Sequence, residues 1–182
     1  MADISEVLVA MVTGASSAIY PSGTGSPSII AADVKIYAGW PVPAQLDTDL
    51  PSSICHVTFW ARPEIKNVRQ YRDGATGENV AGKVRKEIRR QERSIQVSVW
   101  SSDPAQRDTL GIVVDAFFAI NPRLTASTGE VFYVRYKSEA QVDEHQKTNI
   151  YRRDLILSAE YPTSHDLDAT PVTTVVTNVT TM

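Results

Sequence analysis

The chain has 182 residues, 42% of them hydrophobic and 21% charged. That balance excludes a disordered or fibrous protein, and the length predicts one domain that buries roughly 70% of its unfolded surface without disulfides or structural metal. Cys55 is the single cysteine, so nothing is stapled within the chain. No stretch approaches the roughly 20 uninterrupted apolar residues of a membrane span, and the first ten residues carry two acids where a secretory signal needs positive charge. The expectation is a protein neither integral to a membrane nor exported, in a cytoplasm that keeps thiols reduced.

The net charge of −3 argues against a dedicated nucleic-acid binder, whose usual footprint is a strongly basic domain. The distribution is more informative. Residues 62–93 hold ten basic side chains against five acidic ones, and the remainder holds eight basic against sixteen acidic. A molecule divided this way is self-complementary, so the basic segment of one copy can set register against acidic surface on another. The plainer alternative is a solvated hairpin whose Lys and Arg protect an exposed edge from aggregation.

In chain order, Asp3-Ile4-Ser5 opens an N-capped helix with Ile4, Leu8, Met11, Ala15 and Ile19 at helical spacing, and it stops before the loop-forming residues 20–27. Residues 34–40 read as a first strand ended by Pro41 and Pro43, residues 44–50 as a helical turn, and residues 54–60 as a second strand, central by its apolar run. Residues 67–83, with Asp73-Gly74 and Thr76-Gly77, read as a loop or hairpin tip. From 84 to 100 the pattern alternates, with Ile95, Val97 and Val99 on one face and Ser94, Gln96 and Ser98 on the other. Ser102-Asp103-Pro104-Ala105-Gln106 then predicts a helix with Asp103 as N-cap, Pro104 first and Gln106 closing a capping box. Its stripe is Leu110, Val113, Val114, Phe117 and Phe118, and Pro122 ends it.

Residues 131–136 are a further strand, residues 138–149 a polar connection, and residues 150–161 a strand with Tyr151, Leu155, Leu157, Ala159 and Tyr161 at period two. After a loop at 162–166 comes an uncharged tail rich in β-branched residues. The expected architecture is α+β: a mainly antiparallel sheet with two or three helices packed on one face, as a domain over residues 1–163, followed by an extended C-terminal arm at 164–182. A tail of that composition is costly to leave as a free edge and is satisfied by joining a sheet, a neighbour's or its own.

No catalytic constellation emerges. Val12-Thr13-Gly14-Ala15-Ser16-Ser17 looks like a dinucleotide-binding turn, but Ala18 and Tyr20 stand where further glycines are needed. Tyr133 and Lys137 share a face of a strand rather than of a helix. His56, His145 and His165 are scattered, and Cys55 and His56 point to opposite faces, so a packed cysteine and a half-buried histidine are expected. Gly23-Thr24-Gly25-Ser26 lacks the Lys-Ser/Thr of a phosphate loop. No cofactor, metal or catalytic residue is predicted.

Taken together, several signals resemble the tail terminator, or tail-completion, proteins of tailed bacteriophages over residues 3–161. They are the N-terminal helix, the aromatic strand at 34–40, the strand 94–100 entering the Pro104 helix with Arg107-Asp108-Thr109-Leu110, and the closing strand 151–161. Ala38-Gly39-Trp40-Pro41 and Arg89-Arg90-Gln91-Glu92-Arg93 are similar to stretches of prophage structural proteins. The resemblance implies a virion protein of the tail and neck, assembled in the host bacterial cytoplasm into a homo-oligomeric ring, usually of six. Its partners would be the tail tube protein and a neck or connector protein, with genomic DNA passing through the lumen and not bound by sequence. Subunit or partner contacts are expected at Arg85, Lys86, Arg89, Arg90 and Arg93, at Arg152 and Arg153, and at Val172, Val175, Val176 and Val179 of the tail. The alternatives are another tail or baseplate component of the same fold, or a nucleic-acid-binding module using residues 83–93.

Overall fold

The computed structural model describes residues 3–80, 83–142 and 149–168. Along the chain run α1 (Ile4–Ile19), β1 (Val34–Ala38), α2 (Pro43–Asp49) with a 3-10 turn at Leu50–Ser52, β2 (Cys55–Val80), β3 (Lys83–Ser101), α3 (Pro104–Ile120), β4 (Arg123–Thr125), β5 (Val131–Val142) and β6 (Tyr151–Asp168). The strands form one sheet in the order β1-β2-β3-β6-β5-β4, parallel between β1 and β2 and antiparallel elsewhere. This is the expected α+β architecture. Of the residues expected to form an arm, 169–182 lie outside the described set, and Val172, Val175, Val176 and Val179 with them.

Both long helices start and stop for local reasons. Asp3 accepts from the Ser5 and Glu6 amides at 2.8 and 3.1 Å, and Asp103 accepts from Ala105 N at 2.8 Å, relieving orphan donors of the first turn. Each helix ends at the residue before a proline, Tyr20 at φ −119° and Asn121 at φ −116°, because the proline ring disfavours helical geometry there. The predicted capping box does not form. Asp103 N donates to Ser101 Oγ at 3.0 Å, and Gln106 instead accepts from Ser101 Oγ at 3.3 Å and Cys55 Sγ at 3.4 Å.

Period-two alternation along β2, β3 and β6 builds the core. Cys55, Val57 and Phe59, then Ile95, Val97 and Val99, then Leu155, Leu157, Ala159 and Tyr161 are buried in one cluster with Val7, Met11, Ala15 and Ile19 of α1 and Leu110, Val114 and Phe118 of α3. The N-terminal helix thus buries Val7 at full depth, whereas the predicted Ile4 and Leu8 pack against the cluster's margin. Gly14 sits inside α1, not in a strand-to-helix turn, and a Cβ there would lie 2.5 Å from a ring carbon of Phe117. The resemblance to a dinucleotide turn is therefore a helix-packing notch.

Three readings of the connections are corrected. Residues 67–83 were expected as a loop or hairpin tip; they belong to a β2–β3 hairpin, but its strands run further than expected, β2 to Val80 and β3 from Lys83, joined in register up to Val80↔Lys83 with several bulges that absorb the Gly and Asp residues. Residues 162–166 were expected as a loop, yet β6 continues to Asp168 opposite Lys83. The polar connection after β5 starts later than 138, because β5 pairs through Val142. Long strands of mixed polarity read as loops because no apolar face marks them.

Replacing Gly14 by Ala should lower the thermal midpoint. The about 1 kcal/mol that alanine normally gains over glycine in a helix is outweighed by an overpacking cost of about 1–3 kcal/mol against Phe117. Gly25, with open space where a Cβ would stand, is the control, and its alanine variant should melt with the unaltered protein.

Candidate functional site

The even-numbered residues of β2, β3 and β6 face away from α1 and α3. Trp60 and Trp100 stand on this face, and Trp40, delivered by the turn after β1 through Gly39 at φ +114°, meets both edge-on at 6.0 and 5.9 Å. All three tryptophans of the chain therefore form one cluster. Arg152, opposite Trp100 in the register, places its guanidinium 5.0 Å from the Trp100 ring and 5.9 Å from the Trp40 ring, and is held by Asp154 at 3.0 Å. Each such cation–π contact is worth about 0.5–2 kcal/mol. Beside them Ser98 donates to Asp154 at 2.7 Å and Gln96 to Ser98 at 3.2 Å. Leu46 and Leu50 close on Trp100 and lead to a cavity of about 400 Å³ lined by Asp47, Pro51, Ser102 and Ile150. Trp100 is buried, but Trp40 and Trp60 remain 47% and 38% exposed.

At the other end of the same strands, β2, β3 and β6 extend together as a three-stranded arm past the start of β5. Its charge is partly answered within the subunit. Glu160 lies 3.8 Å from Arg90 and 3.4 Å from Arg135, Glu87 bonds Arg90 at 2.9 Å, and Lys137 reaches Glu92 at 2.9 Å. Lys86 and Arg89 differ, lying across from Thr76 and His165, and from Gln70 and Thr163.

The expected contact residues thus divide. Arg89 is exposed on the arm, whereas Arg93 donates to the Arg62 carbonyl at 2.6 Å and Arg90 is in the Glu87–Glu160 network. Arg152 sits among the indoles. Arg153, one residue on, points to the helix side, where it is 8% exposed. It bonds Glu139 at 2.8 Å and the Asp108 carbonyl at 3.3 Å, and a Cβ on Gly111 would lie 2.6 Å from its chain. A register shift between Tyr136 and Ser138 turns Glu139 to meet it.

A second polar group was not foreseen. Asp49, at the end of α2, bonds Lys35 Nζ at 2.5 Å and His56 Nε2 at 2.9 Å, and the other nitrogen of His56 meets the Tyr37 hydroxyl at 2.9 Å. The arrangement that satisfies every atom has Nε2–H donating to Asp49 and Nδ1 accepting from Tyr37. His56 is fully buried, not half-buried as expected, because α2 covers it; Cys55 packs in the core as predicted, its thiol pushed up by burial. Burial holds His56 below its usual range against the opposing pull of Asp49, and the Lys35 bond holds Asp49 low. His56 is fully buried with both ring nitrogens partnered, so this chain clamps α2 and β1 to β2. Tyr133 and Lys137 are likewise occupied, by Arg90 at 6.0 Å and by Glu92. Among the described residues no group of three metal-binding side chains occurs.

Because the unfolded chain binds a proton at His56 more readily than the folded one, stability should fall as pH drops below about 6.5, through the lowered folded value. Asp49 adds its own loss only at lower pH, as its depressed carboxyl protonates. In urea titrations at pH 7 and pH 5, His56→Asn should lose less stability between the two than the unaltered protein.

No protein-family model matches the chain, and no curated protein matches its sequence. Among solved structures, the PVC sheath/tube terminator of an extracellular contractile injection system, in its extended state, aligns over 100% of this chain at 19% identity with a TM-score of 0.51. This chain spans 65% of that terminator's length. A chain of the virion of a native gene transfer agent particle aligns over 84% of this chain and 98% of its own, at 16% identity and a TM-score of 0.40. The chain therefore shares its fold with a sheath/tube terminator, as the resemblance of its sequence to tail terminators implies.

Proposed function

We propose that this chain is a structural subunit of a phage-like tail, a terminator that closes the end of a tail tube as a homo-oligomeric ring. The observation that carries the reading is the fold shared with a sheath/tube terminator over the entire chain. The geometry is compatible with it. The described residues present a long charged arm and an aromatic sheet face that α2 covers only in part, leaving Trp40 and Trp60 exposed, and their polar clusters are consumed in packing. A directional subunit with different surfaces at its two ends suits head-to-tail contacts, which close into a ring when the rotation permits. In such a ring one face would meet the tube protein and the other a neck or connector protein, with DNA passing through the lumen.

A nucleic-acid-binding module is less well supported, because Arg90 of the basic segment is paired with Glu87 and Glu160, and the segment's own Glu92 with Lys137. Fixed phosphate contacts need a cationic surface without such neutralisation.

Negative-stain imaging and sedimentation of the full chain, alone and with tubes of the cognate tube protein, test the reading. Rings, or caps on tube ends, are expected. Reversing Lys86 and Arg89 to Glu should remove them while leaving the thermal midpoint nearly unchanged, since neither lies opposite an acid. Assembly of the unaltered protein should weaken in 0.5 M salt as screening shortens the reach of these charges. A chain that stays monomeric and leaves tube ends bare contradicts the reading, and DNA retardation with a steep salt dependence would favour the alternative.

A further inference from the structure

We infer that the Trp40–Trp60 face of one copy receives the β2–β3 arm of a second copy. The inference deepens the terminator reading and rests on it in requiring self-association. The face combines what an acceptor for a basic, aliphatic segment needs. Trp40 and Trp60 present indole surface, and Val42 beside them is 58% exposed. Exposed Asp33, Asp47 and Asp103 lie at the Trp100 end of this face: Asp33 immediately precedes β1, Asp47 follows the Leu46 that packs on Trp100, and Asp103 follows the last residues of β3. The nearby cations are engaged within the subunit: Lys35 with Asp49, Arg152 with Asp154, and Arg62, two residues on from Trp60, with the Gln96 side-chain oxygen at 3.2 Å. The surface therefore offers π-faces and carboxylates to an incoming charge.

The arm supplies the complement. Lys86 and Arg89 have no acid opposite them in the register, and Ile65, Val68 and Ile88 are exposed at 53%, 45% and 42%. Lysine or arginine over an indole gains a cation–π contact, a nearby carboxylate steers and orients it, and isoleucine against Val42 removes apolar surface from water. Exposed tryptophan and arginine are also the residue types that concentrate binding energy at interfaces.

The two surfaces cannot meet within one copy. Both are carried by the same continuous strands, and Arg89 is seven residues along β3 from Gln96, the register partner of Trp60, roughly 23 Å at a strand's rise. Donor and acceptor are thus at opposite ends of one ribbon, and their union is heterologous: each copy gives its arm forward and receives one behind.

Two surface variants of the full chain test this by sedimentation. Lys86→Glu with Arg89→Glu disables the arm, and Trp60→Ser with Asp47→Lys disables the face. Each alone should self-associate at least tenfold more weakly. Mixed, they should form a complex that stops at two copies, because one partner retains an arm and the other a face. Tryptophan emission should shift to the blue as the unaltered protein assembles. Should circular dichroism show Trp60→Ser unfolded, Asp47→Lys with Val42→Asp replaces it and carries the same expectation. A face variant that assembles like the unaltered protein, while the arm variant fails, overturns the inference and leaves the terminator reading standing. Monomers of the unaltered protein at every concentration, with bare tube ends, overturn both.

Discussion

The structure depends on the strict alternation of side chains along three long strands. Over Cys55–Phe59 of β2, Ile95–Val99 of β3 and Leu155–Tyr161 of β6 the odd positions are apolar and meet α1 and α3, so one register decides the burial of the sheet's side of the core. The same arithmetic forces the even positions outward together: Trp100 and Arg152 meet as register partners, and Trp60, paired with Gln96 four residues along, shares their face and is joined to Trp100 through Trp40. The aromatic face is therefore a consequence of the core pattern, fixed as firmly as the core itself.

Close approach is the second constraint. Gly14 lets Phe117 enter the groove between the helices, and Gly111 leaves room for Arg153 to pass beneath α3. Arg152 and Arg153 illustrate how sharply alternation separates neighbours: one is stacked on indoles on the face away from α1 and α3, the other is buried on the opposite side with its charge met by Glu139. Their adjacency in sequence suggested a shared role, and the pleat gives them different ones.

Much of this was legible in the residues. Asp103-Pro104 marked the start of α3, Pro21 and Pro122 marked helix ends, and Ile95, Val97 and Val99 announced the buried side of β3. The tryptophan cluster was legible too, since Trp60 and Trp100 fall on the positions opposite the apolar ones, but nothing in the pattern places Trp40 over them. The outer halves of β2, β3 and β6 escaped because their pairing rests on backbone hydrogen bonds, with polar side chains that carry no period. The Lys35–Asp49–His56–Tyr37 chain escaped for a different reason: its members come from three elements, and only the docking of α2 brings Asp49 to His56.

One small feature governs how far the sheet can grow. The Tyr20 hydroxyl both accepts from Val34 N at 2.8 Å and donates to Val34 O at 2.9 Å, so the phenol stands where another strand's backbone would begin to pair with β1. A single side chain from the preceding helix terminus thereby plugs the first rung of the sheet's β1 border. Stray chains lose their foothold there, and a polymer of this protein is steered away from fibrous stacking along that margin.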